Sequence, residues 1–252
     1  MTGPEIKKIK VKSFLDGIFT NTDTAVAPEC ILQIFLNEKP LTSIACLGAH
    51  IDELAVGFLH TEGFIERWED IREIRTDPSI PSVHIVTRMK TPLISSETII
   101  FSSGAKFGQR PPSIPEKASS SPYISPQEIF DIMEEMVRKS QIHELTRGTH
   151  SAALATRKGI ICLREDIGRH NCLDMLDGYC LLQGINARDK FIFRTGRVSS
   201  EIVRKVIRMG SKIVVSLSVP TFEAVELARE AGVTLIGRVT ERGMVVFTNE
   251  AS

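Results

Sequence analysis

Three short segments of this chain are more heavily loaded with polar and charged residues than ordinary turns require. Arg147-Gly148-Thr149-His150 leads into an apolar run. Arg164-Glu165-Asp166-Ile167-Gly168-Arg169-His170-Asn171 leaves a second, and Arg194-Thr195-Gly196-Arg197-Val198-Ser199-Ser200-Glu201 leaves a third. The last has the plainest chemistry. Phe191-Ile192-Phe193 reads as a strand, Gly196 permits a sharp turn, and Ser199 or Ser200 is placed to cap a following helix. A helix start offers free N–H groups and partial positive charge, which together attract phosphate. Arg194 and Arg197 would add charge-assisted hydrogen bonds. Ser216-Leu217-Ser218-Val219-Pro220-Thr221 is a second hydroxyl-rich helix start, with Ser218 and Thr221 as its polar groups. Two such starts side by side could share one diphosphate. Ordinary capping explains each segment taken singly, and neither a GxGxxG nor a GxxxxGK[ST] phosphate loop is present.

His150 and His170 admit both a structural and a functional reading, with His170 favoured by its neighbours Glu165, Asp166 and Arg169. The expected use of the two carboxylates is to hold Arg169. The five cysteines, Cys30, Cys46, Cys162, Cys172 and Cys180, include no CxxC pair, and they read as reduced, buried side chains. His/Cys pairs at zinc-ligand spacing are missing, so no metal is expected.

The elements that would carry these segments follow from periodicity. Residues 5–12, 25–36, 82–88 and 96–102 look extended, and 51–65 has helical spacing. Residues 103–125 are rich in proline and serine and read as a flexible loop. Ser125, Pro126 and Glu128 announce a helix through a capping box. Beyond residue 150, strands at 151–156, 159–164, 189–194, 212–217, 233–238 and 243–248 alternate with helices at 168–184, 199–210 and 221–231. That alternation predicts an α/β layered part with a largely parallel sheet, whose strand ends would form the ligand crevice. The expected organisation is a β-rich part with one helix (1–102), the loop (103–125) and an α/β cofactor-binding part (126–252), or one intertwined domain.

Lys plus Arg equals Asp plus Glu at 31 each. No overall field therefore favours nucleic acid or an anionic membrane. No apolar run approaches the ~20 residues of a membrane span, and no signal-peptide layout is seen, so a cytoplasmic protein is expected.

The motifs together resemble the FdhD/NarQ family of formate dehydrogenase accessory sulfurtransferases. Arg164 to Asn171 with Asp174 resembles the family's REDxGRHNxxD, Gly148 to Ala153 its GGxHxAA, and Thr195 to Glu201 its TGRxSSE. Ser218-Val219-Pro220-Thr221 is similar to its SxPT. Asp52 to Leu59 with Thr61-Glu62-Gly63 is similar to its DLxxGFLxTEG helix. The resemblance implies a cytidine-deaminase-like three-layer α/β core with a smaller N-terminal β-rich subdomain, usually in a homodimer. It implies binding of the molybdenum bis(molybdopterin guanine dinucleotide) cofactor as a client, for which GDP or GMP would be a surrogate. It also implies sulfur transfer to that cofactor from a cysteine desulfurase, before insertion into the formate dehydrogenase catalytic subunit. The cofactor contacts of the family map onto Arg238, Val239, Thr240, Glu241, Arg242 and Gly243; Thr195, Gly196, Arg197, Ser199, Ser200, Ser218, Thr221, His150, Arg169 and His170 are the further cofactor-binding candidates read from the polar segments.

One departure bears on chemistry. The persulfide cysteines of the family's SSCGxCG loop are replaced here by Gly104 and Phe107, and neither can form a thiolate. No catalytic residue is therefore assigned. The chain could bind and deliver cofactor without carrying sulfur, use a relocated thiol such as Cys172, or be an inactive relative. A zinc nucleobase deaminase is the alternative on a shared fold, but HxE and PCxxC are both missing.

Overall fold

The computed structural model describes residues 4–77, 80–88, 98–100 and 123–248. Gly104, Phe107 and the expected loop lie outside the described residues, apart from Tyr123 to Ser125. The chain opens with a two-stranded antiparallel hairpin, β1 (Lys7–Leu15) and β2 (Ile18–Val26). A five-stranded sheet follows, formed by β3 (Cys30–Leu36), β4 (Lys39–Cys46), β5 (Ile71–Asp77), β6 (Ser82–Thr87) and β7 (Thr98–Ile100) in the order β5-β6-β3-β4-β7. The extended stretch expected at 25–36 is thus two strands. Pro28 lies in the break between them, where the ring removes a ladder donor.

The second sheet contains β8 (His150–Thr156), β9 (Gly159–Asp166), β10 (Phe191–Arg194), β11 (Ile213–Ser216), β12 (Thr234–Thr240) and β13 (Gly243–Val246), ordered β13-β12-β11-β10-β8-β9. Only the neighbours β10–β11 and β11–β12 pair in parallel; β8–β9, β8–β10 and β12–β13 are antiparallel. The expectation of a largely parallel sheet is corrected to a mixed one. The reason is local: β8–β9 and β12–β13 are joined by two-residue turns, and a tight turn can only reverse the chain.

Alternation sends successive side chains of this sheet to opposite faces. Leu154, Ile192, Val214 and Leu235 pack beneath α4 (Arg169–Gln183), α5 (Ser200–Met209) and α6 (Phe222–Glu230). Ala153, Phe193, Val215 and Ile236 pack against α2 (Pro126–Lys139). The result is a helix–sheet–helix arrangement. Helix α2 begins with the expected capping box, in which Glu128 N–H reaches Ser125 Oγ at 3.3 Å while Glu128 Oε2 accepts from Ser125 N–H at 2.8 Å. Its short successor α3 (Gln141–Thr146) was not foreseen, nor were β4 and β5.

Helix α1 (Ile51–Thr61) covers the five-stranded sheet through Leu54, Phe58 and Leu59 and leans its other side on α4. It ends four residues earlier than its spacing suggests, because Gly63 turns the chain at φ 83°. Polar pairs cross the α1–α4 contact. Thr61 donates to Asp174 at 2.7 Å across it, and the buried Lys205 of α5 reaches Asp174 at 2.6 Å and Thr61 at 2.9 Å. Burial alone would lower the Lys205 ammonium, but Asp174 and Glu62 outweigh it and hold it above its ordinary value. Beside it, His60 Nδ1 lies 2.6 Å from Asp177 Oδ2.

Burial pulls the His60 imidazolium down, yet the charge and hydrogen bond of Asp177 raise it above 6.5 overall. A raised cationic group favours the fold while protonated, so its contribution is complete below pH 6.5 and is lost as pH climbs through the higher folded value. Urea midpoints of the wild type are expected to fall from pH 6.5 toward pH 8.5, and Asp177→Asn to flatten that slope. A slope unchanged by the substitution would refute the pair's role.

Candidate functional site

The three polar segments converge at one end of the mixed sheet. Thr195 N–H donates to Ser151 O at 3.0 Å, and Ser151 N–H donates to Thr195 Oγ1 at 3.1 Å, which fastens the β10 turn to the start of β8. His150 Nδ1 stands 3.5 Å from the same hydroxyl. Gly196 sits where a side chain would be tightly crowded. A Cβ there would meet Arg169 Cβ and Arg194 Nη2 at 3.2 Å and His150 Nδ1 at 3.3 Å. The loop after β11 joins them: Ser216 Oγ donates to Gly196 O at 2.8 Å, and Thr221 N–H donates to Val198 O at 2.9 Å. The β12 segment arrives through Arg238 N–H, which donates to Ser218 O at 2.9 Å. Residues 195–200, 218–221 and 238 are therefore neighbours.

The electrostatics are one-sided. Arg194 is 1% exposed, and no carboxylate pairs with it among the described residues. Its Nε donates to Gly196 O at 3.2 Å and its Nη2 to Arg169 O at 3.4 Å, while Nη1 has no partner. Burial pushes the guanidinium down to about 10. Such a cation is costly unless an anion approaches it. Burial also lowers His150, assisted by the positive charges of Arg194 and Arg169, so its imidazole is neutral near pH 7. Further buried polar atoms without partners gather here: Thr149 Oγ1, Ser151 Oγ, Arg169 Nε and Ser199 Oγ. Native interiors satisfy nearly all such atoms through protein, water or ligand partners, so a cluster of exceptions singles this place out. An open pocket of about 510 Å³ adjoins, lined by Ser140, His143, Arg147, Thr149, His150 and Thr195 among others.

The structure corrects several expectations. Glu165 and Asp166 do not hold Arg169. Glu165 accepts the N–H groups of Ile142 and His143 at 3.2 and 2.7 Å, anchoring the start of α3. Asp166 accepts from Leu47, Gly168 and Asn171 at 2.6–2.8 Å, tying β9 to the end of β4. Thr221 uses its hydroxyl to cap α6, accepting from Ala224 N–H at 3.3 Å, so one N–H of this helix start is already taken. Ser199 holds the same position on α5 but makes no side-chain cap bond, which leaves that start open. Val239 is buried against the α2 face and presents no side chain to a ligand. Thr240, Glu241, Arg242 and Gly243 form the β12–β13 turn, with Thr240 Oγ1 donating to Gly243 O at 3.2 Å. Arg197 and Arg238 are exposed, and Arg238 sits in the β12 irregularity at φ 53°. Ser200 opens α5, and His170 lies buried 3.4 Å from Glu201. Val137, Ser140, His143 and Leu217 complete the pocket without any motif to advertise them. Cys172, offered above as a relocated thiol, is fully buried, and its thiol is raised far above the ordinary value by that burial.

Residues 27–252 match the model of the FdhD/NarQ family. The chain belongs to the FdhD/NarQ family. It is 33% identical to the sulfur carrier protein FdhD of Bacillus subtilis, covering 92% of each chain. It is 32% identical to the protein of the same name from Halalkalibacterium halodurans, covering 98% of this chain and 95% of that one. A crystal structure of a candidate formate dehydrogenase accessory protein from Desulfotalea psychrophila superposes with a TM-score of 0.80 at 26% identity over 98% of both chains. The FdhD/NarQ match spans all three polar segments as well as α1. The structural likeness extends the agreement to the whole mixed α/β architecture. Among the described residues no helix is long and apolar enough to cross a membrane.

Proposed function

We propose that this chain is a formate dehydrogenase accessory protein that binds the molybdenum bis(molybdopterin guanine dinucleotide) cofactor and serves the formate dehydrogenase catalytic subunit. The observation that carries this reading is the buried, unneutralised Arg194 amid hydroxyl and guanidinium groups that lack partners. A diphosphate seated over Gly196 would supply the negative charge and the acceptors that this cluster lacks. The neutral His150, Thr195, the open start of α5 and exposed Arg197 and Arg238 surround that position. The pocket beside it is roomy enough for part of a guanylated pterin. When bound, the cofactor would bring the metal chemistry. The chain's own residues would bind and orient its phosphates.

Sulfur transfer from a cysteine desulfurase is the second half of the proposal, supported by the name that the relatives carry. The helix–sheet–helix layering supports the cytidine-deaminase-like core. Among the described residues no three His, Cys, Asp or Glu side chains are grouped as metal ligands, and no observation favours the zinc deaminase reading. A homodimer is also proposed. The β1–β2 hairpin carries Phe14, Leu15, Ile18 and Phe19, each at least 60% exposed, and a two-stranded ribbon is barely stable without a surface to rest on.

Calorimetry with GDP tests the cofactor site. Saturable binding at micromolar to low millimolar concentration is expected, and it should weaken as salt rises. No measurable heat at millimolar GDP would remove the proposal.

A further inference from the structure

A sulfur carrier needs an accessible thiol, and this chain lacks cysteine at positions 104 and 107. Four of its five cysteines are buried, and Cys30 is the exception. Burial pushes Cys162 and Cys180 up to about 12. Cys172 spends its S–H on His150 O at 3.3 Å. Cys30 differs in a second respect. It faces Cys46 directly across the β3–β4 ladder, with the two Sγ atoms 3.5 Å apart. The residue opposite its sulfur is Gly48 at φ 87°, and a side chain there would press on Cys30 Sγ at 3.1 Å. The bare glycine leaves room for the Cys30 sulfur beside it, and Cys30 is half-buried.

We propose that Cys30, supported by Cys46, is the thiol at which this chain accepts a sulfane sulfur from a persulfide donor. The assignment rests on the sulfur-carrier reading and deepens it. The Cys30 thiolate attacks the outer sulfur of R–S–SH. A new S–S bond forms on Cys30, the donor's S–S bond breaks, and R–S⁻ departs, so the transfer has no net redox change. Cys46 favours the attacking form. The hydrogen bond from its thiol lowers Cys30 below the ordinary cysteine value, against the opposing effects of burial and of Asp166. Cys46 itself is raised by the same bond and by burial, and it stays the protonated donor.

The pair is also connected to the candidate cofactor site. Leu47, next to Cys46, donates its N–H to Asp166 at 2.7 Å, and Ala45 O accepts from Asn171 at 2.9 Å. Both partners belong to the segment that carries Arg169. Ala27, three residues before Cys30, lies beside Gly148 at the pocket rim.

The test is to incubate the full chain with glutathione persulfide, block free thiols and map the peptides by mass spectrometry. The expected result is a gain of one sulfur atom on Cys30 in the wild type and in Cys46→Ser, which keeps a hydrogen-bond donor. Cys30→Ser should lose the gain completely. A wild type that ends with a Cys30–Cys46 disulfide and released sulfide, while Cys46→Ser retains the added sulfur, also supports the assignment. Sulfur found on another cysteine and unaffected by Cys30→Ser overturns the assignment while sparing the sulfur-carrier reading. No added sulfur on any cysteine overturns both, and GDP binding then reports separately on the cofactor site.

Discussion

Gly178→Ala and Gly57→Ala are each expected to destabilise the fold by about 4 kcal/mol or more, enough to consume much of a typical domain's stability. In most helices the same exchange is mildly favourable, by about 1 kcal/mol. Here the sign reverses because the two glycines are where α1 and α4 touch backbone to backbone. A Cβ on Gly57 would stand 1.7 Å from Asp174 O, and one on Gly178 would stand 1.9 Å from Glu53 O. Neither obstacle is a flexible side chain, so the helices must separate. Separation would also pull Thr61 from Asp174 and His60 from Asp177, leaving buried carboxylates short of partners. Because both substitutions strain one contact, the double variant should cost less than the sum of the two. Gly243→Ala is the control. Its Cβ would enter open space, and its effect should stay within ~0.5 kcal/mol. Denaturant midpoints decide the matter. Wild-type stability in either helix variant would mean that the α1–α4 approach is not as close as described.

Arg194→Met is expected to weaken GDP binding by about 10- to 100-fold while leaving the fold as stable as before, or more so. The two halves of this expectation have one cause. A guanidinium buried without a carboxylate costs solvation energy, and methionine of similar length removes that cost. An anion over Gly196 would lie on the order of 7 Å from the charge, where an effective dielectric of ~20 makes the attraction about 2 kcal/mol. Exposed Arg197 is a useful contrast, since water and salt screen it, and Arg197→Ala should cost less than about fivefold. Thermal shifts provide an independent reading: GDP should raise the melting temperature of the wild type more than that of Arg194→Met. Unchanged GDP affinity in Arg194→Met would show that the buried cation serves the fold and not a ligand.

Much of the architecture, and the polar segments that the fold brings together, were legible in the amino-acid sequence. The capping box at Ser125 and Glu128, and the strand–helix alternation after residue 150, are local patterns written over a few neighbours. Gly196 and the serines around it likewise pointed to a turn opening onto a helix. The family motifs marked the segments that now stand together.

What the sequence left undecided depends on groups far apart in the chain. The sheet is mixed because tight turns reverse two of its strand pairs, whereas periodicity carries no strand direction. The partners of Glu165 and Asp166 are backbone amides on α3 and after β4, reachable only once β9 is docked beside them. Thr221 and Ser199 look alike as caps, yet only the first closes its hydrogen bond. The isolation of Arg194, the contact of Gly57 with α4 and the meeting of Cys30 with Cys46 are all tertiary facts. Spacing along a chain limits which residues can be neighbours within an element. Burial, charge compensation and contact across 16 or more than 100 residues are settled only by how the layers close on one another.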